Sequence, residues 1–479
     1  MKDSHLEFIQ FTECPFYFNC GEWSEFMKPS YLIKPALDVS YPEIDYGKGI
    51  YLFDKDGKKY LDAASGAVTA NIGHGVPEII LAMHEQSKRV SFVYRSQFTS
   101  EAAEKLAEKL AESLPGDLNW SFFVNSGSEA TETALKIAIQ YWQEKGIKSK
   151  TKILSRWVSY HGITLGALSM SGHPGRRARF VPLLEEFPAI SPPYCYRCPY
   201  QSSAPECGYL CAMELDGAIK RIGADHIAAF IAEPVIGAAG GAISPPDGYY
   251  ETVKKICDEN NILFIADEVM TGFGRTGTML ATEHWNVTPD IVALGKGMGA
   301  GYAPIAATVV SDHVMEPIWN GSKVIMSGHT LSANPQSCAT ALSVMEYLEN
   351  NQILKDVESK SVYLKNKLEK LKSQFSFIGD VRGKGLLLGL EFVKLRGRKI
   401  PFERSIKLTE LVVRTGRDQG ILLYPAGAGL DGLSGDAVII SPPLTITKRE
   451  IDDLITLLKT TFMEVYRILG LAFENGAEE

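Results

Sequence analysis

The chain has 479 residues, 45% of them hydrophobic and 22% charged, a composition typical of globular proteins that excludes collagen, coiled coils and wholesale disorder. Its 49 basic and 57 acidic residues give a net charge of -8 without a long basic run, so nucleic-acid binding is not expected. No stretch approaches about 18 apolar residues, and residues 1–12 lack an apolar core, so neither a membrane span nor a signal peptide is expected.

The N-terminal part of the chain is predicted to form an irregular arm followed by a β-hairpin. In residues 49–61, an Asp-Gly pair at Asp56 and Gly57 separates two runs of β-forming residues, the pattern of two strands joined by a tight turn. We assign residues 1–65 to the smaller of two domains.

Residues 66–334 alternate short β-forming runs with helical patterns, and we assign them to a large domain. Such alternation predicts an α/β fold, with a mostly parallel sheet flanked by helices on both faces. The predicted strands are residues 121–124, 152–158, 228–232, 262–266, 291–294 and 305–310. The clearest predicted helices are residues 130–143 and 249–260.

After the Asn-Pro pair at Asn334 the pattern changes, and residues 335–479 are predicted to form a smaller α+β domain with the N-terminal hairpin. The predicted helices are residues 337–349, 354–374 and 448–469. The predicted strands are residues 385–392 and 421–424.

The segment Asn-Ser-Gly-Ser-Glu-Ala, which starts at Asn125, joins a predicted strand to an amphipathic helix. Gly127 and Ser128 would open that helix, where backbone N–H groups lack intrahelical acceptors and attract anions such as phosphate. Serine and asparagine are also common helix caps, so an ordinary cap is the alternative.

Two further residues follow apolar runs that are predicted to be buried strands. Asp267 ends the run Phe-Ile-Ala-Asp, and Lys296 lies between two glycines after the run Ile-Val-Ala-Leu. The carboxyl ends of parallel strands line the ligand crevice of α/β proteins, and a lysine in an apolar crevice can act as a nucleophile or base. The alternatives are a strand-end cap or salt bridge for Asp267 and a solvated side chain for Lys296.

One glycine pattern points to a different ligand. The sequence Gly-Phe-Gly-Arg-Thr-Gly at Gly272 fits the dinucleotide-binding fingerprint and follows a strand. That fingerprint opens a helix directly, whereas residues 276–279 are predicted to form a turn, and Asp267 precedes the glycines. We therefore do not expect a dinucleotide.

The three motifs together suit a phosphorylated aromatic aldehyde, with a helix N-terminus for the phosphate, a carboxylate for the ring nitrogen and a lysine for the aldehyde. That ligand is pyridoxal 5'-phosphate. From about residue 49 to 447 the chain resembles the class III aminotransferases, which are fold type I pyridoxal-phosphate enzymes. The motifs that carry the resemblance are Asn-Ser-Gly-Ser-Glu-Ala at Asn125, Tyr-His-Gly at Tyr160, Glu-Pro-Val at Glu233, Asp-Glu-Val-x-Thr-Gly-Phe-Gly-Arg-Thr-Gly at Asp267, Gly-Lys-Gly around Lys296, His-Thr at His329 and Val-Arg-Gly-Lys-Gly at Val381.

The resemblance implies catalytic and ring-binding roles for matching residues. Lys296 would form a Schiff base with the cofactor and later shuttle a proton, and Asp267 would keep the ring nitrogen protonated. Tyr160 would stack on one face of the ring and Val269 would press on the other. Glu233 would lie near the ring and the substrate.

The resemblance also implies how the phosphate is bound. Gly127 and Ser128 would bind it together with Thr330 of the partner subunit, which implies a homodimer with shared active sites.

His161 is interpreted as a satisfied buried histidine without a chemical role, and Arg382 as a contact at the domain interface.

The implied function is that of a ping-pong aminotransferase, which moves an amino group from an amine or amino acid donor to a keto acid or aldehyde acceptor. Its partners would be these small molecules and a second copy of the chain. Racemases, decarboxylases, aminomutases and phospho-lyases share the fold and the cofactor motifs, so they remain the alternative.

At Ile439 the chain departs from family members that bind a substrate carboxylate through an arginine just before the Pro-Pro of the C-terminal domain. The preceding loop, residues 425–436, has no arginine either. An isoleucine cannot neutralise a buried carboxylate. Either the substrate lacks a carboxylate there, which we favour on sequence alone, or another cation such as Arg176, Arg177 or Lys384 replaces the arginine.

The chain has eight cysteines, and without an export signal they are expected to be reduced thiols of a cytoplasmic protein. Four of them form a C-x-x-C pair and a C-x-x-x-C pair that are eight residues apart, a pattern compatible with zinc or an iron–sulfur cluster. Free thiols or two labile disulfides are the alternatives, and we assign no metal. These four are Cys195, Cys198, Cys207 and Cys211.

Overall fold

The computed structural model describes residues 31–37 and 39–471, so most of the predicted N-terminal arm lies outside the described residues. By the density of their contacts, these residues fall into two units that divide between Glu43 and Ile44. The predicted domain boundaries after residues 65 and 334 stay predictions. No helix in the described residues is long and apolar enough to span a bilayer.

The described chain alternates strands and helices over most of its length. The strands are β1 (Ile44–Lys48), β2 (Tyr51–Asp54), β3 (Lys59–Asp62), β4 (Trp120–Val124), β5 (Lys152–Arg156), β6 (Ala189–Ile190), β7 (Ile227–Ala232), β8 (Leu263–Asp267), β9 (Ile291–Leu294), β10 (Ala306–Val310), β11 (Ile378–Lys384), β12 (Leu387–Phe392), β13 (Ile421–Leu422), β14 (Tyr424–Ala428) and β15 (Gly435–Ile440). The helices are α1 (Ser65–Val68), α2 (Pro77–Arg89), α3 (Glu101–Ser113), α4 (Gly127–Glu144), α5 (Leu165–Met170), α6 (Pro174–Arg177), α7 (Leu210–Ile222), α8 (Tyr249–Glu259), α9 (Asp312–Asn320), α10 (Pro335–Asn350), α11 (Ile353–Gln374), α12 (Leu408–Gln419) and α13 (Lys448–Leu469).

The central sheet has the strand order β4-β10-β9-β8-β7-β5-β6, and all its neighbouring pairs are parallel except those that involve β10. On β7, Phe230 packs in one hydrophobic cluster with Val253 of α8, while Ile231 packs in another with Ala134 of α4. Because successive strand residues point to opposite faces, the two helices cover opposite faces of the sheet. The predicted helix-covered, mostly parallel sheet is therefore confirmed.

Two smaller sheets flank this region along the sequence. The predicted hairpin at Asp56 and Gly57 is confirmed: β2 and β3 pair antiparallel, and Asp54 Oδ1 accepts a hydrogen bond of 2.8 Å from the Lys58 N–H. β13, from the C-terminal part of the chain, pairs in parallel with β3 in the same sheet. The other sheet is antiparallel, with the order β11-β12-β15-β14.

Two of the predicted C-terminal strands differ from those in the structure. Residues 421–424 are not one strand, because Ile421–Leu422 pairs with β3 whereas Tyr424 begins β14 in the other sheet. An apolar run looks the same in sequence whichever sheet takes its residues, so the change of sheet left no signal. The strand predicted from residue 385 begins at Leu387, because Gly385 has φ of 58° and belongs to the turn after β11.

Candidate functional site

The carboxyl ends of five strands meet at one edge of the central sheet. β5, β7, β8 and β9 are parallel, and β4 points the same way because β10 is antiparallel to both β9 and β4. This edge is where α/β proteins bind their ligands. Every residue predicted for the site except Thr330 lies at or shortly after one of these strand ends: Gly127, Ser128, Tyr160, Glu233, Asp267, Val269 and Lys296.

The N-terminus of α4 offers unpaired hydrogen-bond donors at this edge. Ser126 caps the helix by accepting a hydrogen bond of 3.3 Å from the Glu129 N–H, whereas the N–H groups of Gly127 and Ser128 have no acceptor among the described residues. A Cβ at residue 127 would lie only 2.8 Å from Val269 Cγ1, so glycine lets the helix begin this close to Val269. Free N–H groups at the positive end of a helix form an anion site.

Asp267 is the last residue of β8, and its buried carboxylate is held from two sides. Asp267 Oδ1 accepts a hydrogen bond of 3.1 Å from the Val269 N–H, and Oδ2 lies 2.8 Å from His161 Nδ1. With the carboxylate ionised, His161 Nδ1–H is the donor. His161 Nε2 is buried without a hydrogen-bond partner among the described residues, so the interpretation of His161 as a fully satisfied histidine is wrong.

Glu233, directly after β7, is buried and binds the backbone of its neighbours. Glu233 Oε1 accepts a hydrogen bond of 2.9 Å from the Tyr160 N–H, and Oε2 accepts one of 2.9 Å from the Gly237 N–H. Burial raises the pKa of Glu233, and the nearby charge of Asp267 raises it further. Glu233 thereby fixes the backbone at Tyr160, whose half-buried ring faces the same edge of the sheet.

Lys296 opens a short turn after β9 and is largely buried. Its φ of 40° places it in the left-handed region, an uncommon conformation for a residue other than glycine. Burial lowers the pKa of the Lys296 amine, the charges of Asp267 and Glu233 oppose that effect, and the charge of Arg176 adds to it. The amine therefore shares one electrostatic environment with both carboxylates.

Tyr424 and Arg176 also belong to this neighbourhood. Burial raises the pKa of the half-buried Tyr424, and the charge of Arg176 acts in the opposite direction. The Arg176 guanidinium lies 4.6 Å from the centre of the Tyr160 ring. Tyr424 carries no signal of this position in the sequence, because a tyrosine in a β-forming run has no feature that separates it from a core residue.

Thr330 is exposed in the segment between α9 and α10. Its side chain makes no hydrogen bond within the part of the chain that is described. The preceding residue, His329, lies close to the start of α4, with His329 Nδ1 3.6 Å from Glu129 Oε1. Within one chain, therefore, Thr330 is not joined to the other predicted residues by a hydrogen bond.

The glycine pattern at residues 272–277 has a structural role. It forms turns and does not open a helix, as predicted. The buried Arg275 guanidinium donates hydrogen bonds to the carbonyls of Leu386 and Pro442, at 3.0 and 2.6 Å, and to Asn71 Oδ1 at 2.7 Å. The segment therefore joins the turns after β8 to the C-terminal part of the chain.

The four cysteines of the paired motifs, Cys195, Cys198, Cys207 and Cys211, are free thiols that line one small cavity of about 20 Å³. Burial raises the pKa of Cys211 to about 12, so that thiol is protonated at neutral pH. Among the described residues, no three His, Cys, Asp or Glu side chains are arranged to hold a metal ion.

Comparison with known proteins covers almost the whole chain. The family model described as "Aminotransferase class-III" matches residues 36–462. An uncharacterized aminotransferase of Bacillus subtilis is 57% identical over 440 residues, which cover 92% of this chain and 99% of that protein.

Solved structures show the same likeness. An (S)-enantioselective omega-transaminase from Thermomicrobium roseum superposes with a TM-score of 0.84 and 38% identity, covering 89% of this chain and 93% of that one. An amine transaminase from an uncultivated Pseudomonas species, solved in a PLP-bound form, has a TM-score of 0.85 and 33% identity, covering 95% and 99% of the two chains.

Proposed function

The chain belongs to the class III aminotransferase family, and we propose that Lys296, Asp267 and Tyr160 carry the chemistry of its reaction. It has the fold type I architecture and uses pyridoxal phosphate. It moves an amino group from an amine or amino acid donor to a keto acid or aldehyde acceptor in two half-reactions. The comparisons do not favour a racemase, decarboxylase, aminomutase or phospho-lyase.

One observation carries our assignment of these residues: adjoining parallel strands bring the Lys296 amine and the Asp267 carboxylate to one buried site. Burial lowers the pKa of Lys296, which favours the neutral amine that a base or nucleophile requires.

The described residues fit pyridoxal phosphate. The N–H groups of Gly127 and Ser128 lack acceptors and would hold the phosphate, and the Asp267 carboxylate would hold the ring nitrogen. Buried polar atoms are rarely left unpaired in a complete site, so the unpaired His161 Nε2 is a further sign that a polar group belongs here. When bound, the cofactor supplies an aldehyde that condenses with amines and a ring that withdraws electrons from the substrate.

Asp267 and His161 would act on the ring nitrogen as a pair. His161 Nδ1 lies 2.8 Å from Asp267 Oδ2, which gives a buried carboxylate the hydrogen-bond partner that it needs. The carboxylate would in turn hold a proton on the ring nitrogen. Val269, which touches the start of α4, and Tyr160, which Glu233 holds by its backbone, would confine the ring between them.

Lys296 is the base of the reaction. With cofactor and substrate bound, Lys296 Nζ would take a proton from the substrate carbon and later donate it to the cofactor. Burial lowers the pKa of this amine, which favours its neutral form.

We propose that the enzyme is a homodimer in which Thr330 of one subunit completes the phosphate site of the other. The surface around Thr330 and after Tyr160 supports this, because it exposes apolar side chains that a single chain leaves uncovered. Met326 is 77% exposed and Leu331 is 51% exposed. The other exposed apolar side chains in these segments are Val324, Ile163 and Leu165. A cytoplasmic location is also proposed, and the free thiols support it.

The experiment that tests the activity is a half-reaction without acceptor. Enzyme loaded with pyridoxal phosphate is mixed with a panel of amines and amino acids while its visible absorbance is recorded. Transamination predicts bleaching to the pyridoxamine phosphate form and recovery when a keto acid is added. Spectral change that never reaches the pyridoxamine form with any donor would contradict the assignment.

A further inference from the structure

The position of Ile439 leaves the substrate-binding side of the site without its expected cation. Ile439 is completely buried in β15, in register with Gly389 of β12 and Tyr424 of β14. A side chain enclosed in this way packs in the core and cannot pair with a substrate carboxylate. A substrate with a carboxylate would need a different positive group.

Two of the three candidate cations are already engaged elsewhere. Arg177 Nη1 donates hydrogen bonds of 2.8, 3.0 and 2.8 Å to the carbonyls of Leu168, Ser169 and Ser171. Lys384 Nζ lies 5.3 Å from the centre of the Trp285 ring. Each of these two side chains is therefore held by another part of the chain.

Arg176 differs from both, because its side chain is exposed and lies over the Tyr160 ring at 4.6 Å. Among the described residues, no carboxylate pairs with it. Its charge lowers the pKa of Lys296, so it lies within electrostatic reach of the reacting amine. A guanidinium held against an aromatic face is oriented by the ring while its N–H groups stay free for a ligand.

Arg176 also lines a cavity of about 530 Å³. The positive side chains of Arg404 and Lys407 line the same cavity. Two acids, Glu410 and Asp436, also line it, and Asp436 Oδ1 accepts hydrogen bonds from the N–H and the hydroxyl of Thr409 at 2.9 and 2.8 Å. The three cations outnumber the two acids, so the lining has a positive balance that favours an anionic guest of small-molecule size.

We propose that Arg176, which lies over the Tyr160 ring, binds the carboxylate of an amino acid or keto acid substrate where its guanidinium borders this cavity. The geometry thus favours the second of the two interpretations of Ile439, that another cation replaces the missing arginine. The two guanidinium N–H groups would meet the two carboxylate oxygens as a bidentate pair. This inference rests on the proposed function of the site.

The test compares Arg176→Gln and Arg176→Lys with Arg179→Gln, which removes the same charge from an exposed arginine three residues away that does not line the cavity. Donor half-reactions are measured with matched pairs that differ only by a carboxylate in place of a methyl group: β-alanine and propylamine, 4-aminobutyrate and butylamine, 6-aminohexanoate and hexylamine. L-Alanine and ethylamine, which differ by the carboxylate itself, serve as a fourth pair.

We expect Arg176→Gln to raise KM for the preferred acid about 10- to 100-fold, the usual effect of losing a hydrogen-bonded charge pair. The lysine variant should lose less, because it keeps the charge without the bidentate geometry. KM for the matched amine should stay within about twofold in all variants, and Arg179→Gln should leave both substrates unchanged. An equal loss for acid and amine, or a wild-type enzyme that accepts amines but no acid, would overturn the proposal.

A second readout does not depend on turnover. Calorimetry measures the Kd of hexanoate, an unreactive carboxylate, for the loaded enzyme. We expect it to weaken by a similar factor in Arg176→Gln and not in Arg179→Gln, and an unchanged Kd in Arg176→Gln would contradict the proposal. If no donor changes the wild-type spectrum while hexanoate binding still depends on Arg176, the proposed function fails and the carboxylate site stands.

Discussion

His161 Nδ1 and Asp267 Oδ2 lie 2.8 Å apart, and their side chains are almost completely withdrawn from solvent. The two residues are 106 positions apart in sequence, so the pair joins the loop after β5 to the end of β8. Because Asp267 Oδ1 also accepts the Val269 N–H, the carboxylate has one fixed orientation and one fixed set of donors. Its charge is thereby preorganised for a positive partner at the edge of the sheet.

Asp267→Asn should lower the rate of the donor half-reaction about 100-fold or more, since removing one preorganised electrostatic group from an active site has effects of this size. The exposed Asp247 gives a matched control, and Asp247→Asn should leave the rate unchanged. Stopped-flow absorbance of the bound cofactor measures both. A near-normal rate in Asp267→Asn would show that another group protonates the ring nitrogen.

His161→Leu should lower the same rate by about 10- to 100-fold, because the buried carboxylate loses its charge-assisted hydrogen bond. His161→Asn keeps an N–H near the position of Nδ1, so it should recover part of the loss. Recovery separates a role in orienting Asp267 from a general packing defect, which the smaller asparagine would not repair. Equal losses in both variants would contradict the role given to this hydrogen bond.

Lys296→Ala should abolish turnover, with a loss of about 10²- to 10⁴-fold or more from the missing proton transfer alone. It should still bind pyridoxal phosphate without a covalent link, measured by equilibrium dialysis, because the phosphate contacts come from other residues. Added methylamine should restore part of the activity by replacing the missing base, whereas the exposed-lysine control Lys323→Ala should need no rescue. Normal turnover in Lys296→Ala would contradict the assignment of Lys296 as the base.

The titration of Lys296 should make the rate of proton transfer depend on pH. Burial lowers the pKa of the amine, and only the neutral amine accepts a proton, so kcat should rise with pH and reach a plateau. The midpoint should lie below the ordinary lysine value of about 10.4. A kcat profile that is flat below pH 9, with chemistry shown to limit the rate, would argue for a different base.

Glu268, next to Asp267, allows a test that measures the stability of the fold and does not depend on the enzymatic reaction. It is completely buried, and burial raises its pKa to about 7 although Thr271 and the Thr282 N–H donate hydrogen bonds to it. Its pKa is thus higher in the folded than in the unfolded chain, so the folded form binds the proton more tightly and loses stability as pH rises from 4.5 to 7.

Glu268→Gln removes this titration. Relative to the variant, the wild type should lose about 3 kcal/mol of unfolding free energy between pH 4.5 and pH 8. Chemical denaturation at the two pH values measures the difference, and the exposed Glu358→Gln should follow the wild type. Parallel behaviour of the wild type and Glu268→Gln would show that the buried carboxyl titrates near its ordinary value.

The sequence was most informative where local pattern and position in the fold coincide. Lys296 and Asp267 follow short apolar runs in an alternating β/α pattern, and parallel strands must place their carboxyl ends together, so the meeting of these two residues was predictable. The capping of α4 by Ser126 follows the same local logic.

Residues whose position depends on the path of a loop were less predictable. Arg176 and Arg177 are neighbours with the same side chain, and only the fold of residues 157–177 turns one to the Tyr160 ring and the other to three backbone carbonyls. His161 stands in a motif beside Tyr160, but its contact with Asp267 is a long-range one. Such contacts are set by tertiary packing, which no local pattern encodes.

Thr330 allows a direct test of shared active sites. Thr330→Ala should weaken pyridoxal phosphate binding about 10- to 100-fold, the effect of losing one hydrogen bond to a charged group. Lys296→Ala should be inactive because it lacks the base, although it still binds the cofactor. At a limiting cofactor concentration, each variant alone should show little activity.

Mixing the two variants under conditions of subunit exchange then separates the two arrangements. If Thr330 acts across the interface, each mixed dimer has one site with both Lys296 and Thr330 intact, because the lysine comes from one chain and the threonine from the other. Random exchange would therefore give about a quarter of wild-type activity. If Thr330 serves its own chain, no mixed dimer contains an intact site, so activity that stays at the level of the separate variants would rule out the shared site, provided that mass measurement shows the exchange took place.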